Sequence, residues 1–328
     1  MKISVEKQTP VAALTTLIVI AAASYVRYAA IPFENERAVA EVLPPLAERF
    51  SVLSGSYPIA GVIVAFLLTV FTGMIIGQMG SRFGLYPAQT FLSMPLFGFV
   101  ACGIFISGDV LSASLTSLLA ALAIKYVSRG YLRERDLSSM LYAGLCIGCM
   151  LLLSASGVVY AVAAMSAIFI LRFSTREMFV LLFAIVFPPA VCCYAVWAFG
   201  GEFLSSLIQI REALTAESGA DAFGNDAVCA LVLCGLCGFT FICSTVLFLA
   251  NRFMVSIKSR GILIFNIVLS LLSAAIFVLP SSSPSCFAAA AVPMSTIMPV
   301  LFIREGERLS VILYLSLWVV FILHLLYY

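Results

Sequence analysis

Charge is what this 328-residue chain lacks most: Asp, Glu, Lys and Arg together make up 10% of it. A soluble domain of this length needs a far more charged surface, so a water-facing globule is excluded. Histidine occurs once, which leaves a single imidazole for any catalytic triad. There is no glycine-rich phosphate loop and no serine in a nucleophile-elbow context. No Gly/Ser linker, low-complexity block or internal repeat divides the chain, so residues 1–328 read as a single transmembrane domain without the duplication of an inverted-repeat carrier. None of the 16 acids falls in the middle of an apolar run, which argues against a proton-coupled carrier.

What is present is hydrophobic sequence, 63% of the residues, with a mean hydropathy of +1.13. It is arranged as apolar runs at 11–30, 58–80, 88–106, 110–128, 138–153, 158–172, 177–199, 226–249, 261–279, 286–303 and 309–328. Most match the roughly 17–25 residues a membrane-spanning helix needs. The expected fold is therefore all-α, a polytopic transmembrane bundle of about eleven helices. Two features alter that count. The first run ends in Ala21-Ala22-Ala23, which a signal-cleavage site also shows, and cleavage leaves ten. Tyr25, Arg27 and Tyr28 instead mark an anchor at the membrane edge. The runs at 138–153 and 158–172 are short and meet at Ser154-Ala155-Ser156-Gly157; a re-entrant hairpin there leaves nine.

The few cations set the orientation. With the N-terminus in the cytoplasm, 14 of the 18 Lys and Arg fall on that side, and only Arg27, Arg37, Arg49 and Arg211 fall outside. That bias places the N-terminus in and the C-terminus out. The acids lean outward, Glu34, Glu36 and Glu48 among them. Two outer links, 31–57 and 200–225, are long. In 202–218, Leu204, Leu207, Ile208 and Leu214 recur at helical spacing, the pattern of a helix lying among headgroups. In 34–53, Val42, Leu43, Leu46, Phe50 and Leu53 read as a similar helix, interrupted at Pro44-Pro45.

Three stretches carry a family resemblance: Leu141 to Gly148 before a short apolar hairpin; Leu171-Arg172-Phe173-Ser174-Thr175-Arg176-Glu177 before a helix with Pro188-Pro189; and Ala291-Val292-Pro293-Met294-Ser295-Thr296 before Arg304 to Arg308. From about residue 60 onward the chain resembles an uncharacterised family of multi-pass inner-membrane proteins from Bacteroidota. The resemblance implies a bacterial inner membrane within a two-membrane envelope, and no activity. Where that family has one proline followed by an aromatic, this chain has Pro188-Pro189-Ala190.

Candidate chemistry follows from position. Glu34 and Glu36, after the first membrane run, stand where membrane glycosyltransferases place a catalytic acid that serves as general base. Arg27 precedes them at the same mouth. Pro188, Pro189, Pro293 and Pro299 free backbone carbonyls inside helices and point to a cavity that the first three would line. Arg172 and Arg176 suit a lipid phosphate, and Lys125, Arg129, Arg133 and Arg135 form the densest basic cluster. Cys146-x-x-Cys149 and Cys234-x-x-Cys237 fit helix packing better than a metal, so no metal or cofactor is expected. Of the sparse intramembrane polar groups Gln78, Asn266, Ser295, Thr296 and His324, the histidine reads as part of an interfacial aromatic belt beside Tyr327 and Tyr328. The expected partners are membrane lipids and other envelope proteins; the cations track topology rather than a nucleic-acid face. The function these residues suggest is handling of a lipid-linked or amphiphilic substrate of envelope biogenesis at an outward cavity. A scaffold subunit docking through 200–225 and a small-molecule carrier are the alternatives.

Overall fold

In a computed structural model, residues 8–30, 43–104, 110–133, 136–215, 227–251, 255–275, 284–304 and 307–327 are described. Among them every regular element is helical: α1 (Pro10–Ala30), α2 (Pro45–Ser56), α3 (Pro58–Arg82), α4 (Ser93–Ile104), α5 (Val110–Leu132), α6 (Leu137–Leu151), α7 (Ser156–Leu171), α8 (Thr175–Ala198), α9 (Ser205–Thr215), α10 (Ala227–Ala250), α11 (Ile257–Ala275), α12 (Pro284–Ile297), α13 (Pro299–Arg304) and α14 (Glu307–Tyr327). Seven of these, α1, α3, α5, α8, α10, α11 and α14, are long and apolar enough to cross a bilayer. The chain thus has the helices of a membrane protein.

Small side chains decide what lies at the centre. The α5 sequence is rich in Ser and Ala, and α12 carries four consecutive alanines, Ala288–Ala291, all buried. Small residues let helix backbones approach closely where lipid removes any hydrophobic drive for helices to associate. Accordingly α5 and α12 pack on each other, with α3, α4, α6 and α11 around them. The bulky residues of α8 (Phe179, Phe183, Val186, Trp197) and α14 (Ile312, Leu315, Val319) are exposed on the periphery.

Hydrogen bonds fix the two ends. At one end, Gln209 of α9 donates to the Leu43 carbonyl (3.1 Å) and to Glu48 of α2 (2.7 Å), and the Leu46 amide donates to the Leu152 carbonyl at the tip of the α6–α7 hairpin (3.0 Å). At the other, Ser259 at the start of α11 donates to the Phe83 and Gly84 carbonyls beyond α3 (3.2 and 2.9 Å). Lys258 reaches the Leu132 carbonyl at the end of α5, and Arg304 reaches the Asn251 carbonyl beyond α10. The hairpin tip therefore lies at the α2–α9 end, opposite the basic end.

Three expectations need correction. Pro44-Pro45 does not break a helix but starts one: Pro44 is the N-cap and Pro45 the first residue of α2, where a missing N–H costs nothing. The run at 88–106 is not one helix. Residues 83–92 are irregular, with Gly84 at φ +57°, and α4 begins only at Ser93, giving about 18 Å of helix. The run at 286–303 is also interrupted, at Met298 between α12 and α13, because Pro299 cannot donate to the helical ladder.

Candidate functional site

The interrupted helices lie side by side in the core, and their exposed carbonyls are answered by side chains. Pro293 leaves the Ala289 carbonyl without its helical donor. The Tyr160 hydroxyl of α7 supplies one at 3.0 Å. The Tyr86 hydroxyl, from the irregular stretch before α4, donates to the Thr296 carbonyl at 2.6 Å, and the Ser244 hydroxyl of α10 is shared between the Met298 carbonyl (3.0 Å) and the Thr240 carbonyl of its own helix (2.7 Å). All of these donors are buried, as they must be where no water can substitute.

Between α1, α3, α4, α5 and α12 lies a small cavity lined by Tyr25, Thr69, Ala101, Val110, Ala113, Ser114, Ser117 and Ala288. It sits toward the α2–α9 end, since it meets the last turns of α1 and the first turns of α5. Its hydroxyl protons are already committed. Thr69 donates to the Ala65 carbonyl (2.9 Å), Ser114 to Leu111 (3.0 Å) and Ser117 to Ser114 (2.8 Å). With the Thr69 proton so used, the 2.7 Å contact with Tyr25 has the Tyr25 hydroxyl as donor. The wall consequently offers oxygen lone pairs, and its volume of about 20 Å³ suits one water-sized occupant. Drug-sized ligands fill roughly 300–1,000 Å³, so this is a polar point in the bundle and not a whole substrate pocket.

The residues singled out in the sequence are not brought together. Glu34 and Glu36 lie outside the described residues. Arg27 is exposed on the last turn of α1. Pro293 is buried in α12, and Pro188 and Pro189 are in α8; neither they nor Arg27 line the cavity. Pro188 and Pro189 instead belong to a packing device. A Cβ on Gly148 of α6 would fall 2.5 Å from the Ile185 carbonyl oxygen and 2.7 Å from Pro188 Cδ. One on Gly144 would fall 2.6 Å from the Leu181 oxygen. The two glycines, four apart, admit the proline-bearing face of α8, and Ile185 is the residue whose carbonyl Pro189 frees.

Arg172 ends α7 in the left-handed conformation (φ 53°) and is exposed, as is Arg176. Glu177 does not pair with Arg176. It turns back onto the Ser174 amide (2.7 Å) and hydroxyl (2.9 Å), a capping box that opens α8. Arg129 lies 3.6 Å from Asp136, the N-cap of α6. That carboxylate is held below the usual range by hydrogen bonds from the Ser138 and Ser139 hydroxyls, with Arg129 adding to the effect.

Tyr25 is buried with its hydroxyl 2.7 Å from that of Thr69, and His324 is buried on α14. Both Cys-x-x-Cys pairs are free thiols, and among the described residues no group of three His, Cys, Asp or Glu side chains could hold a metal. Thr69, Ser114 and Ser117 escaped the sequence reading because hydroxyls at helical spacing look like ordinary small packing residues. The available signal was their density: α5 carries Ser112, Ser114, Thr116 and Ser117 within two turns. No family model, no curated protein and no solved structure matches the chain.

Proposed function

We propose that this chain is a multi-pass protein of the bacterial inner membrane, N-terminus in the cytoplasm, that handles an amphiphilic or lipid-linked substrate of envelope biogenesis at its outer end. The observation that carries the reading is the α2–α9 layer. It caps one end of the bundle, yet Val52, Leu53, Leu204, Leu207 and Ile208 are exposed. Exposed apolar side chains on short helices that also bear Glu48, Arg49, Arg211 and Glu212 suit the headgroup region, where an amphiphile has its polar part. Cations gather at the opposite end, as retention of positive charge in the cytoplasm requires. In this reading Arg27, Glu34 and Glu36 rim the outer mouth, with the glutamates as the acid–base candidates. Arg172 and Arg176 meet headgroup phosphates on the inner side, and the α6–α7 hairpin crosses the membrane.

The test is photo-cross-linking of the full chain in lipid nanodiscs with a diazirine-bearing polyprenyl phosphate. Labelled peptides from α2, α9 and the outer end of α1 are expected. Labelling spread evenly over the exposed faces of α8 and α14 would show bulk lipid contact only and end the proposal. Glu34→Gln and Glu36→Gln test the catalytic part: full rescue of a deletion phenotype by the double variant removes it.

The interrupted helices favour a second reading, a carrier. Helices broken in mid-bundle, flanking a hydroxyl-lined cavity, are where transporters place substrate or ions. Proteoliposomes that move a fluorescent lipid between leaflets at the rate of protein-free vesicles would exclude it for lipid cargo.

A further inference from the structure

At the basic end, Arg82 closes α3 while Lys125 and Arg129 stand one turn apart on the same face of α5. The helices α3 and α5 pack together, and Lys125 lies within electrostatic reach of both arginines. Lys125 is half-buried and stands about 10 Å up the helix from Leu132, deeper than a cation that merely marks the membrane edge. Against three positive charges the described surroundings supply one carboxylate, Asp136, which faces Arg129 at 3.6 Å. Asp136 is itself fixed as the cap of α6 by Ser138 and Ser139, so Arg129 is held by a rigid partner. Like charges clustered at a half-buried position repel one another, and an anion seated among them removes that repulsion. The surplus of positive charge suits a phosphate monoester, which carries about −1.5 to −2 at neutral pH. Arginine guanidinium forks and a lysine ammonium are the donors such an anion accepts.

We propose that Arg82, Lys125 and Arg129 form a binding notch for a phosphate group at the basic end of the bundle, with Asp136 positioning Arg129. The notch is independent of the outer-end reading above. The phosphate has two sources, a lipid headgroup in the adjoining leaflet or a phosphorylated solute, and the geometry serves both.

The experiment uses the full chain in nanodiscs of phosphatidylcholine and reads thermal stability in two arms. One replaces part of the lipid with phosphatidate; the other adds inorganic phosphate to the buffer. Stabilisation in the first arm alone identifies a lipid headgroup, and stabilisation in the second identifies a soluble phosphate. In either case Lys125→Gln and Arg82→Gln should raise the concentration needed for half the shift by about tenfold or more, the loss of one charge-assisted hydrogen bond. Lys125→Arg, which keeps the charge, should retain the shift and controls for folding. Arg308→Gln removes an exposed cation elsewhere in the chain, on the first turn of α14, and should leave the shift unchanged. The proposal is overturned if neither arm stabilises the wild type, if Lys125→Gln and Arg82→Gln keep the full response, or if Arg308→Gln loses as much as they do.

Discussion

Replacing Gly148 by alanine tests the packing of α6 on α8 with one methyl group. In an ordinary helix interior the change would stabilise by about 1 kcal/mol, because glycine has the greater backbone entropy to lose. Here the new Cβ meets the Ile185 oxygen at 2.5 Å and Pro188 Cδ at 2.7 Å, a backbone atom and a ring atom that cannot swing aside. Carbon–oxygen contacts settle at about 3.3 Å or more, so the helices must part by about 0.8 Å. Overpacking of that kind costs about 1–3 kcal/mol. After the propensity gain of about 1 kcal/mol, Gly148→Ala is expected to be about 0–2 kcal/mol less stable than the wild type. Gly235→Ala on α10 is the control, since no heavy atom lies within 4 Å of its Cβ position. It should be neutral or stabilising by up to about 1 kcal/mol. Both can be measured by steric trapping or reversible denaturation in mixed micelles. If Gly148→Ala proves as stable as Gly235→Ala, the seating of the proline-bearing face of α8 on the glycines of α6 is refuted.

Two further outcomes follow from hydrogen bonds. Tyr160→Phe removes the donor to the Ala289 carbonyl and should cost about 1–3 kcal/mol, the penalty of an unmet buried acceptor. Pro293→Ala restores an amide donor to that carbonyl, so Tyr160→Phe should cost much less in that background; equal losses in both would break the link between the two residues. Asp136 has a depressed folded-state pKa, so its contribution is present above the ordinary carboxylate value of about 3.9 and is lost as pH falls through the lower folded value. The stability difference between wild type and Asp136→Asn should accordingly stay level from neutral pH to about pH 4 and shrink below it. A difference that instead changes between pH 5 and 7 would assign the effect to another group.

The helices were largely legible because lipid as solvent makes hydropathy decisive. Each of the eleven apolar runs contains helix, and the amphipathic pattern around Leu204, Leu207 and Ile208 correctly anticipates α9. Composition could not reveal where an apolar run stops being helical. Residues 88–92 open a run that reads as apolar, but the neighbouring Tyr86 bond to the Thr296 carbonyl belongs to a tertiary contact 210 residues away in the chain. Pro293 advertised a freed carbonyl at Ala289 without naming Tyr160 as the donor that answers it. Pro188 and Pro189 pointed toward a cavity, whereas the partner they meet, Gly148, lies on a different helix. The capping box was legible as Ser174-x-x-Glu177, although Arg176 beside it drew the attention to charge. The candidate sites were the least readable part, because serine and threonine hydroxyls serve helix backbones and cavities alike, and their spacing does not separate the two.

The claim on which everything else rests is that the α6 start and the α2–α9 layer lie on opposite faces of a membrane. Dual phosphatase–galactosidase fusions after Arg133 and after Gly201 measure it directly. The account requires galactosidase activity at Arg133 and phosphatase activity at Gly201. Phosphatase activity at Arg133, or the same reporter active at both positions, would contradict it.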